Sequence, residues 1–192
     1  MADTKEKMPL VRQIFTIPNM MGYFRIILIP FIVWRYLTAE TIVDYRVAAL
    51  IIGVSGITDF LDGFIARKLN MVTELGKALD PIADKLTQGA IVLSLSFRFK
   101  WMIPLVVLFV IKEGFMGIMG IIFLKKGMML DGAKWFGKVC TAVLYVVMFI
   151  LILFPEIPIA AANSMIIVCI ALMLLSFGMY IPVFYKMWKE VH

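Results

Sequence analysis

Histidine and cysteine are nearly missing from this chain. Its 192 residues include one histidine, His192, and two cysteines, Cys140 and Cys169. That leaves almost no room for histidine-based catalysis. Both cysteines lie in apolar runs, where a thiol reads as a small buried hydrophobe and not as part of a disulfide framework or metal pair. Charge is scarce too, at 17%, against roughly 25% in soluble domains. With 62% hydrophobic residues, the composition excludes an ordinary water-soluble globule, a disordered chain and a fibrous repeat. It points to an integral membrane protein. The net charge of +6 is then explained by basic loops facing anionic lipid sooner than by nucleic acid.

A membrane helix needs about 20 apolar residues. Six stretches qualify: Ile14–Leu37, Asp44–Ala66, Ala78–Phe97, Trp101–Leu124, Trp135–Phe154 and Ile159–Tyr185. Only helices or closed barrels satisfy backbone polar groups in lipid, and these runs are too long and too continuous for barrel strands. The expected fold is therefore an all-α six-transmembrane-helix bundle. Residues 1–13 form a leading cytoplasmic or interfacial segment, and residues 14–192 a single membrane domain. Lys5, Lys7, Arg12, Arg67, Lys68, Lys77, Lys125, Lys126, Lys134, Lys138, Lys186 and Lys189 fall on one side of this layout. The other side has fewer, with Arg46, Arg98 and Lys100 in or near its loops. By the positive-inside rule both termini are cytoplasmic. The first apolar run is long, carries Arg25 and lacks a small-residue cleavage site, so no signal peptide is expected. A bacterial cytoplasmic membrane is the expected location.

Charges inside a bilayer are costly, and each is a functional candidate. The densest group is Asp59 and Asp62, three apart, followed by Asp80 and Asp84, four apart. Each pair shares one helix face. Asp59 and Asp62 lie eight and five residues before Arg67, and Asp80 and Asp84 four and eight after Gly76. In an antiparallel hairpin both pairs stand within about 6–12 Å of the loop ends. Four carboxylates would meet just inside the cytoplasmic boundary. Such anions need compensation, which Mg²⁺ or Mn²⁺ on oxygen ligands would supply. Two ions about 3.5–4 Å apart could clamp both sides of a phosphoryl displacement. Gly63, Ala66 and Gly76 leave space for a bulky ligand, and Arg67 could neutralise a diphosphate. The plainer reading makes these acids helix caps or partners of Arg67, Lys77 and Lys85. Asp80 before Pro81 does resemble an N-cap followed by a proline at the first helical position.

Asp59-x₂-Asp62-Gly63-x₂-Ala66-Arg67-x₈-Gly76-x₃-Asp80-x₃-Asp84 resembles the complete signature of the CDP-alcohol phosphotransferases (CDP-alcohol phosphatidyltransferases). The resemblance extends over the six-helix layout. It implies a membrane homodimer in which CDP-diacylglycerol yields its phosphatidyl group to an alcohol and CMP leaves. It further implies Asp59, Asp62, Asp80 and Asp84 as metal ligands, with Asp84 also the catalytic base. Asn19, Asp62, Gly63, Ala66, Arg67 and Gly76 would form the CDP site.

Two further stretches are similar to the phosphatidylglycerophosphate synthase branch, Ile17 to Arg25 and Gly137-Lys138-Val139-Cys140-Thr141. Cys140 stands where that branch has a second lysine, and Lys112-Glu113 where it often has Arg-Glu. Glycerol-3-phosphate is accordingly the expected acceptor. Arg25, Lys112, Lys125, Lys126, Lys134 and Lys138 are the candidates for its phosphate. Lysines at helix ends also snorkel to the interface, the plainer role for Lys125 and Lys126. Relatives using phosphatidylglycerol, serine or inositol phosphate share the core signature. From another class, a cation transporter would also need intramembrane carboxylates, but it would favour midplane sites and internal repeats. Gly114, Gly117 and Gly120 recur at threes and suit close helix packing, including between protomers.

Overall fold

The computed structural model describes residues 13–69, 71, 73–126 and 134–191. The described residues are helical apart from short turns. In chain order the helices are α1 (Ile17–Leu37), α2 (Ile42–Lys68), α3 (Glu74–Ser96), α4 (Met102–Lys125), α5 (Trp135–Leu153) and α6 (Ile159–Val191). All but α3 are long and apolar enough to cross a membrane. Lys77, Asp80, Asp84 and Lys85 dilute the first turns of α3. The expected leading segment lies outside the described residues except for Gln13. That residue is buried and belongs structurally with the start of α1.

The chain divides into two compact units, residues 1–90 and 91–192. In the first, α1 and α2 form a hairpin. Its turn is fixed by polar groups. Asp44 Oδ2 accepts hydrogen bonds from the Thr41 N–H at 2.9 Å and its hydroxyl at 2.8 Å, while Arg35 Nη2 donates to Oδ1 at 2.5 Å. Tyr36 and Tyr45 meet edge to face across the same turn, with centroids 5.5 Å apart. These contacts set the register in which α2 returns beside α1.

The second unit rests on the packing of α6 against α4 and α5. Its aromatic core consists of Phe123, Tyr180 and Phe184, with Phe115, Met116, Met119, Phe136 and Met187 around it. Phe115 stands edge to face with both Phe177 and Phe184, and Phe136 with Tyr180. Gly137 lies directly under Tyr180, where a Cβ would collide with the phenol oxygen and ring. The glycines at 114, 117, 120 and 178 face open space, so any close approach they permit is to something outside this chain's described residues.

Overpacking a tight contact costs about 1–3 kcal/mol. Gly137→Ala is therefore expected to lower the unfolding temperature in detergent, and adding Tyr180→Phe should recover some of the loss. Equal unfolding temperatures for Gly137→Ala and the parent would contradict this packing.

Candidate active site

Three of the four acids expected to gather, Asp59, Asp62 and Asp80, lie around a cation that the sequence pattern assigned elsewhere. Arg25, on α1, is only 2% exposed. Its Nη1 pairs with Asp59 Oδ1, its Nη2 lies 3.1 Å from Asp62 Oδ2, and the same nitrogen lies 3.8 Å from Asp80 Oδ1. One guanidinium thus joins α1 to two acids of α2 and one of α3. Asp84 lies within electrostatic reach of Asp59. Burial differs sharply across the cluster: the Asp62 side chain is 3% exposed, whereas Asp59 and Asp80 are 48% and 47% exposed. The cluster has a closed floor at Asp62 and an open side at the other two acids. The guanidinium of Arg25, a candidate for the acceptor phosphate, lies among these acids in this structure.

Helix α3 starts where Thr73 allows it to. The Thr73 hydroxyl accepts the Gly76 N–H at 2.9 Å, the bond of a threonine N-cap to the third helical residue. Pro81 accordingly lies inside the helix, and Asp80 is not its cap. This corrects the plainer reading of Asp80 and leaves its carboxylate free to face Arg25.

Asn19 is buried and braces the same end: its Nδ2 donates to the Gln13 carbonyl at 2.6 Å and to Thr73 Oγ1 at 3.1 Å. Gln13 Oε1 in turn accepts the Leu75 N–H at 3.2 Å. Gly76 fits because it has no Cβ, which would lie 2.6 Å from Asn19 Oδ1 and 3.0 Å from Thr73 Oγ1. Gly22 does the same for α1, where a Cβ would lie 2.8 Å from Leu79 Cδ2. Two glycines therefore let α1 approach α3 closely enough for Arg25 to reach Asp80.

Of the other expected CDP-site residues, Gly63 and Ala66 are partly buried on α2, and the Arg67 side chain lies outside the described residues. Thr73 and Gln13 were missed by sequence reasoning. Thr73 did carry a signal, a capping residue three before Gly76.

The second unit holds the remaining lysine candidates. Lys112 is buried, with Nζ 2.7 Å from Glu113 Oε1. Lys125 and Lys126 are exposed at the end of α4, where Lys126 lies 4.5 Å over the Trp188 ring. Lys134 and the exposed Lys138 flank the start of α5. From Lys112 to Lys125 is thirteen residues of helix, about 20 Å of rise. Lys112 therefore does not share one phosphate site with the lysines at the end of α4. Its polar need is met by Glu113.

The donor set fits a hard divalent cation. It offers carboxylate oxygens, and the buried Asp62 Oδ2 has no hydrogen bond. Among the described residues, however, no group of three or more His, Cys, Asp or Glu side chains is arranged to hold a metal by itself. The acids are spread around the guanidinium instead.

A cluster of signature acids on neighbouring membrane helices defines a class, and the family comparison agrees. The family model for CDP-alcohol phosphatidyltransferase matches residues 15–181. The chain belongs to that family. Among curated proteins it is similar to the CDP-diacylglycerol–glycerol-3-phosphate 3-phosphatidyltransferases of Escherichia coli strain K12 and Rickettsia felis. The first is 42% identical over 92 residues, 47% of this chain and 50% of the relative. The second is 42% identical over 79 residues, 41% of this chain and 43% of the relative. The matched stretch spans about half the length of these relatives.

Losing an N-cap costs about 1 kcal/mol. Thr73→Val is expected to lower the unfolding temperature by several degrees, and Gly76→Ala to lower it at least as much by driving Asn19 from its pocket. An unchanged unfolding temperature in both variants would show that α3 does not depend on this cap.

Proposed function

We propose that the chain transfers a phosphatidyl group from CDP-diacylglycerol to glycerol-3-phosphate and releases CMP. The observation that carries this reading is the gathering of three signature acids on one buried cation, in a chain of this family. The activity for which the relatives are named supports the donor and the acceptor.

Asp59, Asp62, Asp80 and Asp84 would hold Mg²⁺ or Mn²⁺, two ions by the family's pattern. When bound, the metal neutralises diphosphate oxygens and makes CMP a better leaving group. The chain's own residues supply the rest. Asp84, one turn beyond Asp80 on the same face of α3, takes the proton of the acceptor hydroxyl on its carboxylate. Asp62, Gly63, Ala66, Arg67 and Gly76 form the CDP site, with Asn19 as the brace behind Gly76. Because the acceptor hydroxyl attacks phosphorus directly, no covalent enzyme intermediate is required.

A phosphorylated acceptor calls for cations, and the exposed Lys125, Lys126 and Lys138, with Lys134, are suited to that charge. All six helices, α3 included, cross the bilayer in this reading, with both termini and the acids at the cytoplasmic face of a bacterial membrane. The basic residues beside the acid-bearing ends of α2 and α3 support that orientation. Open glycine positions on α4 are consistent with the homodimer expected of the family.

The test is CMP release by the purified chain from CDP-diacylglycerol with a panel of alcohols in the presence of Mg²⁺ or Mn²⁺. Turnover with glycerol-3-phosphate alone is expected, and chelation should abolish it. Asp84→Asn is expected to lose about a hundredfold or more in rate while remaining folded. Lys138→Ala should raise KM for glycerol-3-phosphate more than for CDP-diacylglycerol. Turnover that survives chelation, or full activity of Asp84→Asn, would overturn the assignment.

A further inference from the structure

We propose that Arg25 is a resident counter-cation of the acid cluster, which a divalent ion must displace in order to bind the same carboxylates. The inference goes beyond the proposed transfer reaction but rests on its reading of these acids as cation ligands.

Charge is the first consideration. Asp59, Asp62 and Asp80 bring three negative charges to a site where Arg25 supplies one positive charge. A buried carboxylate such as Asp62 is strongly disfavoured without a partner. Arg25 therefore lets the cluster form before any ion arrives, yet leaves it short of positive charge.

Geometry is the second. Arginines that pair with carboxylates frequently use the fork in parallel, two N–H donors to two oxygens of one acid. Arg25 does not. Of its five N–H donors, one on Nη1 bonds to Asp59, while Nε and Nη2 are buried without a hydrogen bond among the described residues. Asp62 Oδ2 is likewise unbonded, although it lies 3.1 Å from Nη2. The guanidinium is held by charge across three acids and not seated on any one of them.

Access is the third. Asp59 and Asp80 are about half exposed, so the described part of the chain does not close over them and no unfolding of it is needed to uncover them. An ion at bonding distance from these oxygens, about 2.0–2.6 Å, would take the lone pairs that face the guanidinium. Both cations cannot hold the same oxygens, and their like charges repel at that separation. The arginine must give way, and its flexible stem on α1 permits this.

The experiment is a Mn²⁺ titration of the purified full chain in detergent, without nucleotide or lipid. Free Mn²⁺ is followed by electron paramagnetic resonance and unfolding temperature is read in parallel. Arg25→Gln is expected to bind Mn²⁺ about tenfold more tightly than the parent. It should also unfold at a lower temperature without metal and gain more from added Mn²⁺. Arg25→Lys keeps a charge but loses the fork, so it should fall between the two. It decides the matter if the glutamine variant does not fold. Affinity in these variants equal to or weaker than the parent's would overturn the displacement while leaving the metal site intact. A parent chain that binds no Mn²⁺, or an Asp62→Asn variant that binds it as the parent does, would overturn the metal site and this inference together.

Discussion

One buried positive charge organises the first half of the chain. Arg25 cannot lie in an apolar helix hairpin unless carboxylates come to it, and Asp62 cannot be buried unless a cation does. Their mutual need fixes where α1, α2 and the start of α3 meet. The surrounding features serve that meeting. Gly22 and Gly76 remove the side chains that would hold α1 away from α3. Thr73 starts the helix early enough for Asp80 to stand inside it, and Asn19 and Gln13 tie the chain before α1 to that start.

A site built in this way suits the chemistry proposed for it. Lipid substrates keep their tails in the bilayer, so the reacting phosphate is presented at the boundary and not in bulk water. In the proposed reading the acids stand near one membrane boundary, and Asp59 and Asp80 are half exposed. A transporter would require the charges to communicate with both faces. Nothing in the cluster calls for that. The second unit is built differently, from aromatic packing of α6 against its neighbours, with its basic residues, Lys112 apart, at or near helix ends.

The helical class and the helix positions were legible because apolar runs of membrane length leave few alternatives. Expected and observed spans differ by a few residues at their ends, by six at the end of α6 and by four at the start of α3. There the hydrophobic pattern begins the span at Ala78, while the helix begins at Glu74. The error was local: Asp80-Pro81 looked like a helix start, and the Thr73 cap that overrides it comes after an irregular stretch with no hydrophobic period. The acids were legible through spacing alone, since offsets of three and four place pairs on one face. The partner of those acids was not. Pairing Arg25 with Asp59 spans thirty-four residues and Arg25 with Asp80 spans fifty-five, and helical periodicity carries no information at that range. Lys112 is buried within α4, and its separation along that helix from Lys125 and Lys126 shows that the lysine candidates do not make one site.

The most direct test of the central claim is a double-mutant cycle between Arg25 and Asp62, read as unfolding free energy in detergent. Breaking a buried ion pair from one side costs about 3–5 kcal/mol, because a charge is left without a partner. Arg25→Gln and Asp62→Asn should each cost that much, while the double variant should cost clearly less than their sum. Strictly additive losses, or single variants as stable as the parent, would mean that the guanidinium and the carboxylate do not hold each other.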